Sequence, residues 1–159
     1  MLSADNCRNC RTAKRLDNTP QATRYTATMA FKGYIGIRSI RIGVLDNDAC
    51  ALNYIMLMLK QLNNRNGMTL NPWTTTFPAR ALQECQHCMR HTDILLLDMA
   101  LNGITGPQVA QSIRRISPTT AIIGMTSYEP ELYQAEASKA GITTILDKTT
   151  LADKLPKAI

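Results

Sequence analysis

The chain has 159 residues, enough for one domain with a sizeable core, and its 45% apolar, 19% charged composition is that of a globular fold rather than a disordered or fibrous one. No apolar run approaches the roughly 18 residues of a membrane-spanning helix, and the N-terminus lacks the apolar stretch of a secretory signal, so a cytoplasmic protein with no membrane partner is expected. The formal charge of +6 is lopsided: residues 1–41 hold eight Lys/Arg against two Asp, whereas residues 42–159 hold ten charges of each sign. The basic balance therefore belongs to the first forty residues and does not mark the rest as a nucleic-acid binder.

Met1 to Ser39 is rich in Asn, Thr, Arg and Ala with little periodicity, and reads as a basic, flexible extension ahead of a domain over 40–159, with Met29 a candidate internal start. It lacks the dense run of charge that a nucleic-acid-binding arm would need. Five cysteines, Cys7, Cys10, Cys50, Cys85 and Cys88, fit a reducing compartment better than a disulfide framework. Two CxxC pairs have zinc-ligand spacing, with His87 and His91 close to the second. Cys85, however, continues the helical spacing of Phe77, Ala81 and Leu82, which makes it a small core residue.

From Ile40 the pattern sharpens. IRIGVL is a β-rich run ending at Asp46, Asn47 and Asp48, after which Leu52, Ile55, Met56, Leu59 and Leu62 recur at helical spacing. NNRNG (63–67) breaks that helix, and Met68 to Thr76 is a weak strand interrupted by Pro72. An amphipathic helix from about Phe77 to Arg90 precedes the apolar run Ile94 to Leu97, which delivers a single carboxylate, Asp98, to a loop with two glycines. Pro107 suits the first turn of a third helix carrying Val109, Ala110, Ile113 and Ile116. Ala121 to Met125 is a buried strand ending at Thr126; Glu129 to Ala140 is a helix stopped by Gly141; Thr143 to Leu146 is a fifth strand ending at Asp147 and Lys148. A fifth helix starts at Leu151 and reads as truncated.

Strands alternating with helices imply an α/β, doubly wound parallel sheet of the flavodoxin-like kind, order 2-1-3-4-5. In that order Asp46, Asn47, Asp48, Asp98, Thr126 and Lys148 all lie at the C-terminal edge, beside the topological switch point. Crowded carboxylates call for a cation, and a hard oxygen set suits Mg2+. With an ammonium and a hydroxyl added, the edge suits a phosphoryl group: Asp98 as nucleophile, Lys148 and the metal against the charge on the phosphoryl oxygens, Thr126 as hydrogen-bond donor. Asp48 serves equally well as the N-cap of the first helix.

Residues 40–159 resemble the receiver domain of two-component response regulators. The resemblance rests on the acidic turn after the first strand, LLLDMALNG around Asp98, GMTS with Thr126 28 positions later, and ILDK with Lys148 a further 22 on. It implies phosphorylation of Asp98 by a sensor histidine kinase, with Mg2+ held by Asp46, Asn47, Asp98 and the backbone carbonyl of Ala100. It further implies a switch through Thr126 and Lys148 to the face of the fourth helix, fifth strand and fifth helix, dimerisation on phosphorylation, and transcriptional output through a DNA-binding domain absent from this chain. Three departures stand out: Asn47 replaces an acid, Asn102 stands where a proline is common, and Ile145 occupies a switch position that often holds an aromatic. Ala100 and Tyr128 flank the path of hydrolytic water and neither is a strong base, which points to slow self-dephosphorylation. Two alternatives remain open: a degenerate receiver that binds partners without phosphorylation, and a phosphatase similar to the haloacid dehalogenases, with Asp46 of VLDND as nucleophile and Asp48 as acid.

Overall fold

The computed structural model describes residues 38–63, 68–87 and 89–159. The expected extension up to residue 37, with Cys7 and Cys10, lies outside them, as does Cys88. The elements run β1 (Arg38–Leu45), α1 (Ala49–Leu62), β2 (Met68–Thr75), α2 (Pro78–Gln86), β3 (Ile94–Asp98), α3 (Gly106–Ile116), β4 (Ala121–Thr126), α4 (Gln134–Lys139), β5 (Thr144–Asp147) and α5 (Leu151–Ala158). All neighbouring strands are parallel and their order is 2-1-3-4-5, as the alternation of elements predicts.

A parallel sheet covered on both faces sends alternate side chains to opposite layers. Ile42, Val44 and Leu96 join Leu52, Ile55, Leu59 and Leu155 under α1 and α5. Leu45, Leu95 and Leu97 join Ala81, Cys85, Val109 and Ile113 under α2 and α3. Each fully buried aliphatic side chain contributes about 1.5–3 kcal/mol relative to exposure, so the two layers carry most of the fold's driving force. Cys85 is a core residue, as its spacing indicates, and on α1 it is Met58 rather than Met56 that turns inward. Pro72 is tolerated because β2 is an edge strand with a ladder on one side only.

Two helices depart from expectation. α2 ends at Gln86 instead of about Arg90, and His87 at its C-cap is extended. The guanidinium of Arg41 takes the Arg90 carbonyl at 2.8 Å and the Thr92 hydroxyl at 3.1 Å, which satisfies this connection without helical bonds. The single helix expected from Glu129 to Ala140 is instead a 3-10 turn, Pro130–Tyr133, followed by the six-residue α4. Neither piece has a side-chain N-cap bond, and Gly141, with φ +74°, ends the segment where the sequence places the stop. β1 begins two residues before the expected domain start at 40.

Candidate functional site

Strand parity assembles the centre of the site. Asp46 follows Ile42 and Val44 by twos, Asp98 follows Leu96, and Lys148 follows Leu146, and these apolar residues all belong to the α1 and α5 layer. Where the strands end, the same register delivers three charges to one place. The Lys148 Nζ lies 2.7 Å from Asp46 Oδ2 and 3.0 Å from Asp98 Oδ1. Asp46 is fully buried and Asp98 is 3% exposed, so the pairing takes place largely out of water, where charge interactions are strong.

Two carboxylates thus share one ammonium. Burial pushes the Asp98 carboxyl above the usual carboxylate range; Lys148 opposes this by hydrogen bond and charge, Asp46 reinforces it, and a backbone hydrogen bond from Ala100 opposes it. For Lys148, burial works toward a lower value, but the hydrogen bonds and charges of Asp46 and Asp98 prevail and hold its ammonium above the ordinary lysine range. A buried group in a cleft, shifted by both desolvation and a defined charge partner, marks a candidate functional site.

The other predicted residues divide. Asp46 Oδ1 accepts the Asp48 N–H at 2.9 Å, and the Asp48 side chain turns away to accept the Cys50 N–H at 2.8 Å as the N-cap of α1. Asn47 is exposed and lines an open hollow with Thr76, Phe77, Leu101 and Asn102. Thr126 is fully buried at the end of β4, with its Oγ1 accepting the Tyr128 N–H at 3.0 Å. Its parity is that of Ile122, the opposite face from Asp98, so it joins the edge by position and makes no hydrogen bond to the charged trio among the described residues. Ala100 and Tyr128 are both exposed, and Ile145 packs half-buried against the α2 and α3 layer.

The loop after Asp98 is held without the proline missing at Asn102. Ala100 pairs with Thr105 in an antiparallel bridge, Gly103 has φ +76°, and Thr105 and Gln108 form a reciprocal capping box at the start of α3. At Gly106 a Cβ would come within 2.5 Å of the Asp98 carbonyl oxygen and 2.8 Å of Met99 Cα, so only glycine lets the loop close under the strand.

The donor set fits Mg2+. Asp46 and Asp98 bring two carboxylates that between them face a single ammonium, and one or two carboxylates with carbonyl and water oxygens are what this ion takes. No group of three acidic, His or Cys side chains that could hold a metal occurs among the described residues, which agrees with Asp48 being used as a cap and leaves zinc without a ligand set there.

One residue that the sequence reading passes over belongs to the site's framework. Asp147 accepts both the Thr149 N–H and the Thr149 hydroxyl at 2.7 Å, capping the 3-10 turn Lys148–Thr150. Its signal in the sequence is an Asp two residues before a Thr at a strand end, a local side-chain-to-backbone turn.

Comparison with known proteins bears on the fold and the family. A stretch of 75 residues is 33% identical to the transcriptional regulatory protein ComA of Bacillus subtilis (strain 168), covering 46% of this chain and 35% of ComA. The uncharacterized transcriptional regulatory protein YxjL of the same organism is 33% identical over 67 residues, 42% of this chain and 31% of YxjL. The chain spans about a third of the length of these curated relatives. Among solved structures, a response regulator receiver domain protein from Clostridium thermocellum superposes with a TM-score of 0.65 at 22% identity, over 75% of this chain and 90% of that one. A LuxR-family two-component response regulator from Aurantimonas sp. SI85-9A1 gives 0.63 at 18%, over 76% and 81%. At these identities the superpositions establish the fold, and the sequence establishes the family. With the response regulator receiver domain model matched over residues 43–159, the chain belongs to that family of signalling domains.

Proposed function

We propose that Asp98 accepts a phosphoryl group from a sensor histidine kinase and that the resulting charge switches the α4, β5 and α5 face. The observation that carries this reading is the Lys148 ammonium set between the Asp46 and Asp98 carboxylates. One Asp98 oxygen attacks phosphorus, the bond from phosphorus to the kinase's histidine nitrogen breaks, and an acyl phosphate forms. Lys148 keeps its ammonium at the reacting atoms throughout, first against the carboxylate and then against a phosphoryl oxygen. Asp46 and Asp98, with the Ala100 carbonyl and the Asn47 amide oxygen, would hold Mg2+, which supplies positive charge beside the phosphoryl oxygens. Asn47 brings no charge, so metal affinity is lower than two adjacent acids would give.

Thr126 is the proposed sensor. Its oxygen already accepts the Tyr128 N–H, which leaves its O–H to donate to the phosphoryl group and draw the following loop with it. That loop leads into the short, uncapped 3-10 and α4 segment, the kind of element that shifts at small cost, and Ile145 takes an aliphatic part in the response. Ala100 and Tyr128 offer hydrolytic water no base, so the phosphorylated state is long-lived. Because the two curated relatives are transcriptional regulatory proteins, the output proposed is control of transcription through a DNA-binding domain, with dimerisation on phosphorylation.

Intact-mass measurement after incubation with acetyl phosphate and Mg2+ tests the proposal. The parent gains one phosphoryl group, and Asp98→Ala gains none. A parent that stays unmodified would return the reading to a receiver that works through binding alone. The phosphatase alternative has no support here: Asp46 is fully buried, Asp48 is committed to its cap, and Asp98 would have no part.

A further inference from the structure

Lys148 reaches its two carboxylates on a long, flexible stem, so where its ammonium can go depends on how its backbone is anchored. The sheet does not provide the anchor. β5 is four residues long, pairs with β4 alone, and its last register pair is Thr126 with Asp147, one residue short of Lys148.

Just after β5 the turn is closed by side-chain hydrogen bonds centred on Asp147. The Asp147 carboxylate accepts the Thr149 N–H and the Thr149 hydroxyl, both at 2.7 Å, and its own backbone carbonyl accepts the Thr150 hydroxyl at 3.3 Å. Together these bonds close the 3-10 turn over Lys148–Thr150, with Asp147 as its N-cap. Both bonds to the carboxylate land on one oxygen, Oδ1, so a single atom ties the turn back to the end of β5. The residue on the other side of the last register pair is Thr126, and Asp147 lines the cleft formed by the loop that follows it, with Ser127, Tyr128, Glu129 and Leu132.

We propose that Asp147 is a positioning residue: by folding the turn that follows β5, it aims Lys148 at Asp46 and Asp98. The role is geometric, exerted through two accepted hydrogen bonds. Asparagine, whose amide oxygen accepts the same bonds, can fill it, and alanine cannot. The kinetic part of the test rests on Asp98 being the phosphoacceptor, whereas the part that follows Lys148 directly does not.

The experiment compares the parent with Asp147→Asn, Asp147→Ala and Thr149→Val. Side-chain NMR of Lys148, assigned by its loss in Lys148→Ala, reports the surroundings of its ammonium through its chemical shifts at one fixed pH. The rate of Asp98 modification by acetyl phosphate and Mg2+ is measured alongside, with thermal unfolding as the check on folding. In the parent and in Asp147→Asn, the Lys148 side-chain shifts agree closely and modification rates agree within about twofold. In Asp147→Ala the Lys148 shifts move toward those of a solvent-exposed lysine and modification slows by about tenfold. Thr149→Val, which removes one of the two bonds, moves both readouts the same way by less, and decides the matter if the alanine variant does not fold. An Asp147→Ala protein, or failing that a Thr149→Val protein, that matches the parent would overturn the proposal. So would an Asp147→Asn protein as impaired as the alanine variant, since charge rather than turn geometry would then be responsible. If the parent itself takes no phosphoryl group, the reading of Asp98 fails while the Lys148 side-chain shifts still decide the role of Asp147.

Discussion

Opposite ends of the same sheet treat charge in opposite ways. Near the N-terminal end of β3, Arg41 is shared among many fixed partners: Glu84 Oε2 at 2.6 Å, the Arg90 carbonyl, the Thr92 hydroxyl, and the face of Trp73, 5.6 Å from its centroid. Arg114 is likewise spread over the carbonyls of Pro118, Thr120 and Gly141. Buried hydroxyls there are tied into a chain, Ser117 with Thr120 at 2.8 Å and Thr120 to the Thr92 carbonyl at 2.8 Å. At the C-terminal end, two carboxylates compete for the Lys148 ammonium. Satisfied charges stabilise and specify; charges left short of partners are available for chemistry. The fold uses one edge for each purpose.

The contrast can be broken from either end. The largest effect is expected for Asp98→Ala, which removes phosphoryl acceptance altogether while the Arg41 end keeps the protein folded; intact mass and thermal unfolding separate the two. Lys148→Ala leaves two buried carboxylates facing each other without a cation, so the Asp98 carboxyl moves further up and the rate of modification by acetyl phosphate falls by about 100-fold.

Arg41→Ala acts at the other edge. Among the described residues it leaves Glu84 with only the exposed Arg80 as charged partner, and should cost about 2 kcal/mol of stability in urea unfolding while leaving Asp98 modification unchanged. pH sharpens the same comparison. Hydrogen bonding to Arg41, against the desolvation of its own burial, holds the Glu84 carboxyl below its usual range. That pairing therefore contributes stability above the ordinary Glu value of about 4.3, and loses it as pH falls through the lowered one. Asp98 has the opposite sign: its raised value means folding favours the protonated acid, a contribution present below an ordinary Asp value of about 3.9 and lost as pH rises through the raised one. Lys148, also raised, contributes below the ordinary lysine value of about 10.4 and loses that contribution as pH climbs beyond it. Urea midpoints between pH 3 and 6 should therefore fall less on acidification for Arg41→Ala than for the parent. The smallest effect is expected for Tyr128→Glu: a carboxylate beside the site gives hydrolytic water a base, and decay of the phosphorylated form quickens by about tenfold or less.

The strands and the charged trio were legible because both follow from period-two alternation. A buried parallel strand needs a run of branched apolar residues, and the first polar residue after each run marks the edge, which is how Asp46, Asp98 and Lys148 stand out. Thr126 was found by the same rule, but its parity, opposite to that of Asp98, becomes visible only once the strand limits are known. The ends of α2 and α4 were not legible, for different reasons. α2 stops because Arg41, forty-odd residues earlier, takes over the carbonyls and hydroxyl of the next connection, a tertiary bond that no local pattern encodes. α4 shrinks because Glu129 and Tyr133 provide no cap, and the acids that favour a helix start could not offset that. Asp147 was overlooked because acids at strand ends draw the eye to metal and phosphate, whereas this one serves its own backbone.

The most direct test is to locate the phosphoryl group. After acetyl phosphate and Mg2+, borohydride reduction converts an acyl phosphate to a stable alcohol whose position is read by peptide mass spectrometry. The expected result is a reduced residue at Asp98 alone. Reduction at Asp46, or an unreduced chain under conditions that leave the sheet folded, would contradict it.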